Sequence, residues 1–348
     1  MKQHVIILAE DISEPLDEGI KIFTFHFAKY FSTKDKTNII FSHVQNRVLP
    51  DFKQLPINKF FFSPSFFKCI GSYNSQLLIY IPFSSATSMS FIRLAVVRLF
   101  TGFKKTIIVS LQKRRHNYLT RLLIRAIQPT AVIVLSKAEQ DYYQKLGMKC
   151  LLMPIGVDTE KFTAVNKERK LELRKKLNMP IDSKLILHVG HINKGRNIDS
   201  IRSLMSPGFK IVVIGSTRFE HDHELKNKLE KAGYIFVTDF VEDIEEYYQA
   251  ADIYIFPVKS TTSAIEFPLS VFEAMACNLP VLTTNFGGLQ TYLSETACFK
   301  YYNNETEMIA KANLLLAANK CKNRDIILSS FSWATVFDKY LADKLKAI

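Results

Sequence analysis

Residues 252–288 read DIYIFPVKSTTSAIEFPLSVFEAMACNLPVLTTNFGG, and this stretch decides the fold. Residues 252–256 form an apolar β-type run. A polar loop follows, and Pro268 suits the first turn of a helix, where a missing N–H costs nothing. Residues 269–277 have a helical pattern. Asn278 fits the left-handed position after a helix end, and Pro280 stops continuation. Residues 281–284 are the next strand, closed by Gly287-Gly288. Strand, helix and strand in this order predict a parallel α/β sheet. The backbone N–H groups of Phe267, Pro268's neighbour Leu269 and the turn that follows would then face the carboxyl ends of the strands, where such sheets bind ligands and helix starts favour phosphate. Glu273 falls inside the helix among Val271, Phe272, Ala274, Met275 and Ala276. A carboxylate there is costly to bury without a partner, and ligand hydroxyls would serve as one.

The segment resembles the nucleotide-sugar-binding region of retaining GT-B glycosyltransferases. Their pattern has two glutamates separated by seven residues, then Ala-Met-Ala, a small residue, Pro-Val and later Gly-Gly. Glu273-Ala274-Met275-Ala276, Pro280-Val281 and Gly287-Gly288 follow it in register. The first glutamate is displaced: strict spacing lands on Ile265, and Glu266 comes one position late. The resemblance implies that Glu273 binds the donor ribose. It implies a donor-sugar role for Glu266 if the loop is remodelled by one residue.

Outward from this segment, strands at 184–190, 209–215, 235–238, 252–256 and 281–284 alternate with helical stretches at 222–232 and 244–251. Residues 4–9, 38–42, 77–81, 106–110 and 131–135 continue the rhythm in the first half. Strands alternating with helices predict doubly wound parallel sheets. The expected architecture is α/β of GT-B type, two Rossmann-like domains facing a cleft: an acceptor domain over 1–156, a nucleotide-sugar domain over 157–330, and a C-terminal helix over 331–348. The turn Pro154-Ile155-Gly156-Val157-Asp158 marks the boundary, and the family's linker has a similar form. The last helix either caps its own domain or, as the resemblance implies, crosses back to the first.

Four further stretches carry chemistry. Gly190-His191 and Lys194-Gly195-Arg196 follow the 184–190 strand. Fixed cations there would stabilise the charge gathering on a diphosphate leaving group. The family has Gly-Arg where this chain has Gly190-His191, so Lys194 matches the phosphate lysine and Arg196 substitutes for the arginine. Gly215 closes another strand and permits close backbone approach. Gly19 follows the acidic run Glu14–Glu18 in the loop that the resemblance sets against donor phosphate and acceptor; Asp17 and Glu18 read as helix-start carboxylates. Gln112 stands nearest the family's sugar-contacting histidine. It can bond a hydroxyl but cannot act as a base. His116 reads as a surface residue in a basic run.

Nearly half of the 348 residues are apolar, which excludes a disordered chain. Residues 1–156 hold 21 of the 46 Lys and Arg but 9 of the 33 Asp and Glu, a balance of +12 against +1 for the rest. Basic, aromatic and apolar residues mix at 60–67, 90–100 and 113–127, a composition suited to an anionic membrane surface. No nucleic-acid recognition motif occurs, so nucleic acid is not an expected partner. Five cysteines without paired spacing predict neither disulfides nor zinc and suggest a reducing cytoplasm. No Asp-x-Asp and no histidine pair of ligand spacing occurs, so no metal site is expected. No signal peptide or spanning segment is read.

With the resemblance, these features imply a cytoplasmic, peripherally membrane-bound glycosyltransferase. It would move a hexose-type sugar, with retention, from a nucleoside-diphosphate sugar to a saccharide or lipid-linked acceptor of the cell envelope. The donor is a co-substrate and no cofactor is expected. Two rival readings are a nucleotide-sugar-binding scaffold that has lost catalysis and a sugar-nucleotide epimerase on the same fold.

Overall fold

The structure is a computed structural model that describes residues 4–10, 12, 15–16, 18–34, 36–41, 52–54, 63–71, 77–83, 85–215, 222–318 and 320–346. Glu14, Asp17 and the first part of the aromatic run at 60–67 lie outside them.

The chain divides into two units, Met1–Pro154 with Val336–Ile348, and Ile155–Thr335. The first is built on β1 (His4–Ala9), β2 (Lys36–Phe41), β3 (Phe52–Gln54), β4 (Leu77–Ile81), β5 (Lys105–Ser110), β6 (Ala131–Val134) and β7 (Cys150–Leu152). Every pairing is parallel, in the order β3-β2-β1-β4-β5-β6-β7. Val5–Ala9 and Leu77–Ile81 are buried along their whole length. A parallel sheet covered on both faces requires such unbroken apolar runs rather than alternation.

The second unit holds β8 (Lys184–Val189), β9 (Phe209–Ile214), β10 (Ile235–Val237), β11 (Ile253–Phe256), β12 (Val281–Thr284) and β13 (Phe299–Tyr302). These too are all parallel, ordered β10-β9-β8-β11-β12-β13. In each sheet the winding reverses once, between β1 and β4 and between β8 and β11. Doubly wound sheets open a crevice at that point, outside the carboxyl ends of the strands.

The amino ends of β8 and β11 are clamped by charge. Asp252, just before β11, accepts from the Leu185 N–H at 2.7 Å, Arg174 Nη2 at 2.6 Å and Lys170 Nζ at 2.8 Å. These partners together hold its carboxyl below the usual range against the effect of burial. Arg174 also donates to the carbonyls of Ala250 and Ser183, so helix Lys167–Lys176 is tied to the sheet.

Several expectations change. The stretch at 331–347 is not one regular helix: Trp333–Phe337 passes into a π-turn, Asp338–Ala342, and then Asp343–Lys346. Phe337 packs edge-on to Phe27, and Tyr30 donates to Asp338 Oδ1 at 2.7 Å, all within the first unit. Trp333 belongs to the second unit and explains Gly156, where a Cβ would meet the Trp333 ring at 2.7 Å. Pro268 is the N-cap of helix Leu269–Ala276 rather than its first helical residue, with ψ at 114°. The sequence reading did not include strands β3, β7 and β13, each three or four residues long. Cys298 and Cys321 form a disulfide, against the expectation that no cysteines pair. Their spacing of 23 residues carries no signal; the fold joins them where the Asn323 carboxamide bonds the carbonyls of Leu279 and Cys298. The cysteine argument for a reducing compartment therefore lapses. Among the described residues no helix is long and apolar enough to cross a membrane.

Candidate functional site

Each loop at the second unit's crevice has a local reason for its shape. After β8, Gly190 adopts φ +153° and its N–H donates to the Ile214 carbonyl at 2.9 Å, next to Gly215, which closes β9. Asn193 then caps a single 3₁₀ turn, Lys194–Arg196, by accepting from the Arg196 N–H at 3.1 Å. Asn197 ends the turn in the left-handed region, and its side chain donates to Pro257 just past β11. That bond joins the two loops that flank the switch point.

Glycines bring the rest together. A Cβ on Gly195 would lie 2.1 Å from Ser263 Oγ, so the cationic turn rests directly on the loop that leads to Glu266. Gly287 has φ +56°, and a Cβ there would lie 2.0 Å from the Glu266 carbonyl oxygen; Gly288 N–H donates to that same oxygen at 2.7 Å. The Gly-Gly turn is thus the backbone support of the Glu266 loop. Phe267 is fully buried, its ring stacked on Phe272 at 4.3 Å. Helix Leu269–Ala276 starts with no side-chain cap, and the Val271 N–H turns back to the Pro268 carbonyl at 3.2 Å.

Arg196 is the most unusual charge of the site. It makes no ion pair among the described residues, and its Nε is buried without a hydrogen-bond partner. Burial brings its pKa down to about 10. A guanidinium in this state has a donor still to satisfy, and an anion is one class of partner for it. Lys194 is exposed beside it, and His191 is half-buried.

Glu273 is 8 % exposed and meets a protein partner that sequence reasoning missed. The Tyr248 hydroxyl donates to Glu273 Oε2 at 2.7 Å. Burial raises the carboxyl's pKa to about 7, opposed by the Tyr248 bond and the Lys161 charge and assisted by Glu245. Tyr254 stands between the acid and the cation. Its ring is 5.7 Å from Tyr248 and 6.5 Å from His188, and its hydroxyl feels the charges of both Arg196 and Glu273.

In the first unit, Gly19 opens helix Gly19–Lys34, and Gln112 is half-buried in the turn after β5. The switch point between β1 and β4 is occupied by a cluster that sequence reading did not single out. Glu10, the residue after β1, accepts from Tyr80, Arg93 and the Phe83 N–H. A lone glutamate ending an apolar strand was the available signal. His116 departs from its expected surface role. Nε2–H donates to the Ala86 carbonyl at 3.1 Å, so Nδ1 accepts from the Tyr142 hydroxyl at 2.9 Å. It is a neutral brace between two loops, its pKa lowered chiefly by burial.

Residues 183–319 match the family described as glycosyl transferases group 1. Over 170 residues the chain is 32% identical to the putative teichuronic acid biosynthesis glycosyltransferase TuaC of Bacillus subtilis, which covers 47% of this chain and 40% of TuaC. The chain therefore spans less than half the length of that relative. Two solved structures superpose over nearly the whole chain. Sucrose-phosphate synthase from Thermosynechococcus elongatus has a TM-score of 0.77 at 17% identity, over 99% of this chain and 100% of that one. Anabaena HepE in complex with UDP has a TM-score of 0.76 at 14% identity, with both chains covered completely. Two doubly wound parallel sheets and these neighbours place the chain in the GT-B fold, with a segment similar to the group 1 glycosyltransferases in its second unit.

Proposed function

We propose that this chain is a glycosyltransferase that takes a hexose-type sugar from a nucleoside-diphosphate sugar and passes it to a saccharide or lipid-linked acceptor in cell-envelope glycan synthesis. The observation that carries the reading is Arg196, a guanidinium with a buried, unbonded Nε and no carboxylate partner among the described residues, at the switch point of the second sheet. A diphosphate fits that position: Arg196 and Lys194 face its charge, and the uncapped start of helix Leu269–Ala276 adds backbone donors. Glu273 then receives ribose hydroxyls beside Tyr248, and Glu266, shaped by Gly287-Gly288, receives the sugar. As the bond from the anomeric carbon to the phosphate oxygen breaks, negative charge collects on the diphosphate. Cations already in place lower that barrier without reorganising. The sugar passes through an oxocarbenium-like state, with retention of configuration. Similarity to TuaC supports an envelope acceptor, and similarity to the UDP-bound HepE supports a nucleotide donor.

The first unit supports a further proposal, attachment to an anionic membrane surface on its cytoplasmic side. Between Asp51 and Glu139 there are 13 Lys and Arg and no acidic residue. Helix Tyr118–Ala126 buries only Ile124, whereas Tyr118, Leu119, Leu122 and Leu123 are exposed beside Arg121 and Arg125.

Thermal stabilisation by UDP-, GDP- and ADP-sugars tests the donor reading. One of the three is expected to raise the melting temperature of the wild-type protein, and an Arg196→Ala variant to lose that response. No shift with any of them would refute it.

A further inference from the structure

His188 is the penultimate residue of β8 and is completely buried. Its ring lies nearly parallel to Tyr254 and 6.3 Å from Phe256. Nδ1 is 3.0 Å from the Ile255 carbonyl oxygen, which can only accept. The proton is therefore on Nδ1, and Nε2 carries a lone pair. Burial and the Arg196 charge push the ring's pKa down to about 3, so it stays neutral through the physiological range.

Nε2 of His188 is buried and bonded to nothing among the described residues, and the same holds for Nε of Arg196. The two side chains share one space. A Cβ on Gly190 would lie 2.8 Å from Arg196 Nη1, 3.1 Å from Arg196 Cζ and 3.4 Å from His188 Nε2. One side chain offers an acceptor without a donor, the other a donor without an acceptor. Buried polar atoms are rarely left so. No direct bond joins them; one water that donates to His188 Nε2 and accepts from Arg196 Nε–H satisfies both. Gly190 is what makes room for it.

We propose that His188 is a positioning residue for the anion site: through one water its Nε2 lone pair holds the Arg196 guanidinium over Gly190 and so aims the outer nitrogens at the terminal phosphate of a nucleoside diphosphate. This rests on the donor reading above. A phenylalanine would fill the same volume among Tyr254 and Phe256 but would hold nothing. The ring's contribution is its acceptor, not its bulk.

The test is calorimetric titration with UDP, GDP and ADP, and with the corresponding monophosphates, on the full chain. His188→Phe is expected to weaken the preferred diphosphate by about 10-fold or more, the scale of a charge-assisted bond, while the monophosphate moves by less than about twofold. His188→Gln, whose Oε1 can stand where Nε2 stood, recovers most of the loss. On an Arg196→Ala background His188→Phe costs nothing further. Gly190→Ala, which drives a methyl group into the guanidinium, gives the same diphosphate-selective loss and serves if His188→Phe does not fold. Equal weakening of mono- and diphosphate, or a full additional cost on the Arg196→Ala background, would overturn the positioning role while leaving the donor site standing. Failure of the wild type to bind any of the three diphosphates would remove the donor site and this inference with it.

Discussion

Replacing Glu273 with Gln separates what this acid contributes to folding from what it contributes to binding. Its carboxyl is raised from an ordinary 4.5 to about 7 in the folded protein, with burial as the leading cause. A raised carboxyl favours the folded state only while protonated. Stability from this group is complete below pH 4.5, falls as pH rises, and is lost above about 7. The shift of about 2.5 units corresponds to about 3 kcal/mol at 1.36 kcal/mol per unit. Glu273→Gln keeps an oxygen to accept from Tyr248 and has no charge to bury. Urea unfolding should show the variant about 3 kcal/mol more stable than wild type at pH 8, with the gap closing toward pH 4.5. Subtracting the two curves removes other titrating groups such as Asp252. Affinity for the stabilising nucleotide sugar should fall by about 10- to 100-fold, since an ionic hydrogen bond to hydroxyl is worth roughly 1.5–3 kcal/mol. A stability difference that does not change between pH 4.5 and 8 would refute the buried-acid argument. Undiminished nucleotide-sugar affinity would refute the ribose role.

Three more outcomes follow from the same structure. Gly287→Ala places a methyl group 2.0 Å from the Glu266 carbonyl at a positive φ; it should cost at least about 1–2 kcal/mol in urea unfolding and abolish nucleotide-sugar stabilisation, and a neutral effect on both would exclude the support role. Arg174→Ala leaves Asp252 with Lys170 and the Leu185 N–H but removes the tie of helix Lys167–Lys176 to the sheet, and should destabilise by about 1.5–3 kcal/mol, with nucleotide affinity of the folded fraction unchanged. Arg121→Glu with Arg125→Glu should weaken sedimentation with phosphatidylserine vesicles at least 10-fold, taking about 1 kcal/mol for each charge near the surface, while neutral vesicles show no difference; equal binding of both proteins to anionic vesicles would end the membrane proposal.

The alternation of strand and helix was legible because a parallel sheet covered on both faces needs apolar runs of β length, and β1, β4, β8 and β11 supply them. Glu273, Pro280-Val281 and Gly287-Gly288 were legible because they lie close together in sequence with distinctive spacing. The cations of 194–196 could be named as a candidate phosphate turn for the same reason. Strand order could not be read, since it depends on which apolar runs pair. That order makes β8 and β11 neighbours and brings Asn197 to Pro257. Tyr248 as the partner of Glu273, His188 beside Arg196, the Cys298–Cys321 bond and the brace at His116 all join positions about 8 to 30 residues apart. Local sequence thus determined the elements and the types of chemical group on offer. Tertiary packing decided which groups lost water and which found partners, because burial and hydrogen bonding belong to surroundings built by the whole chain.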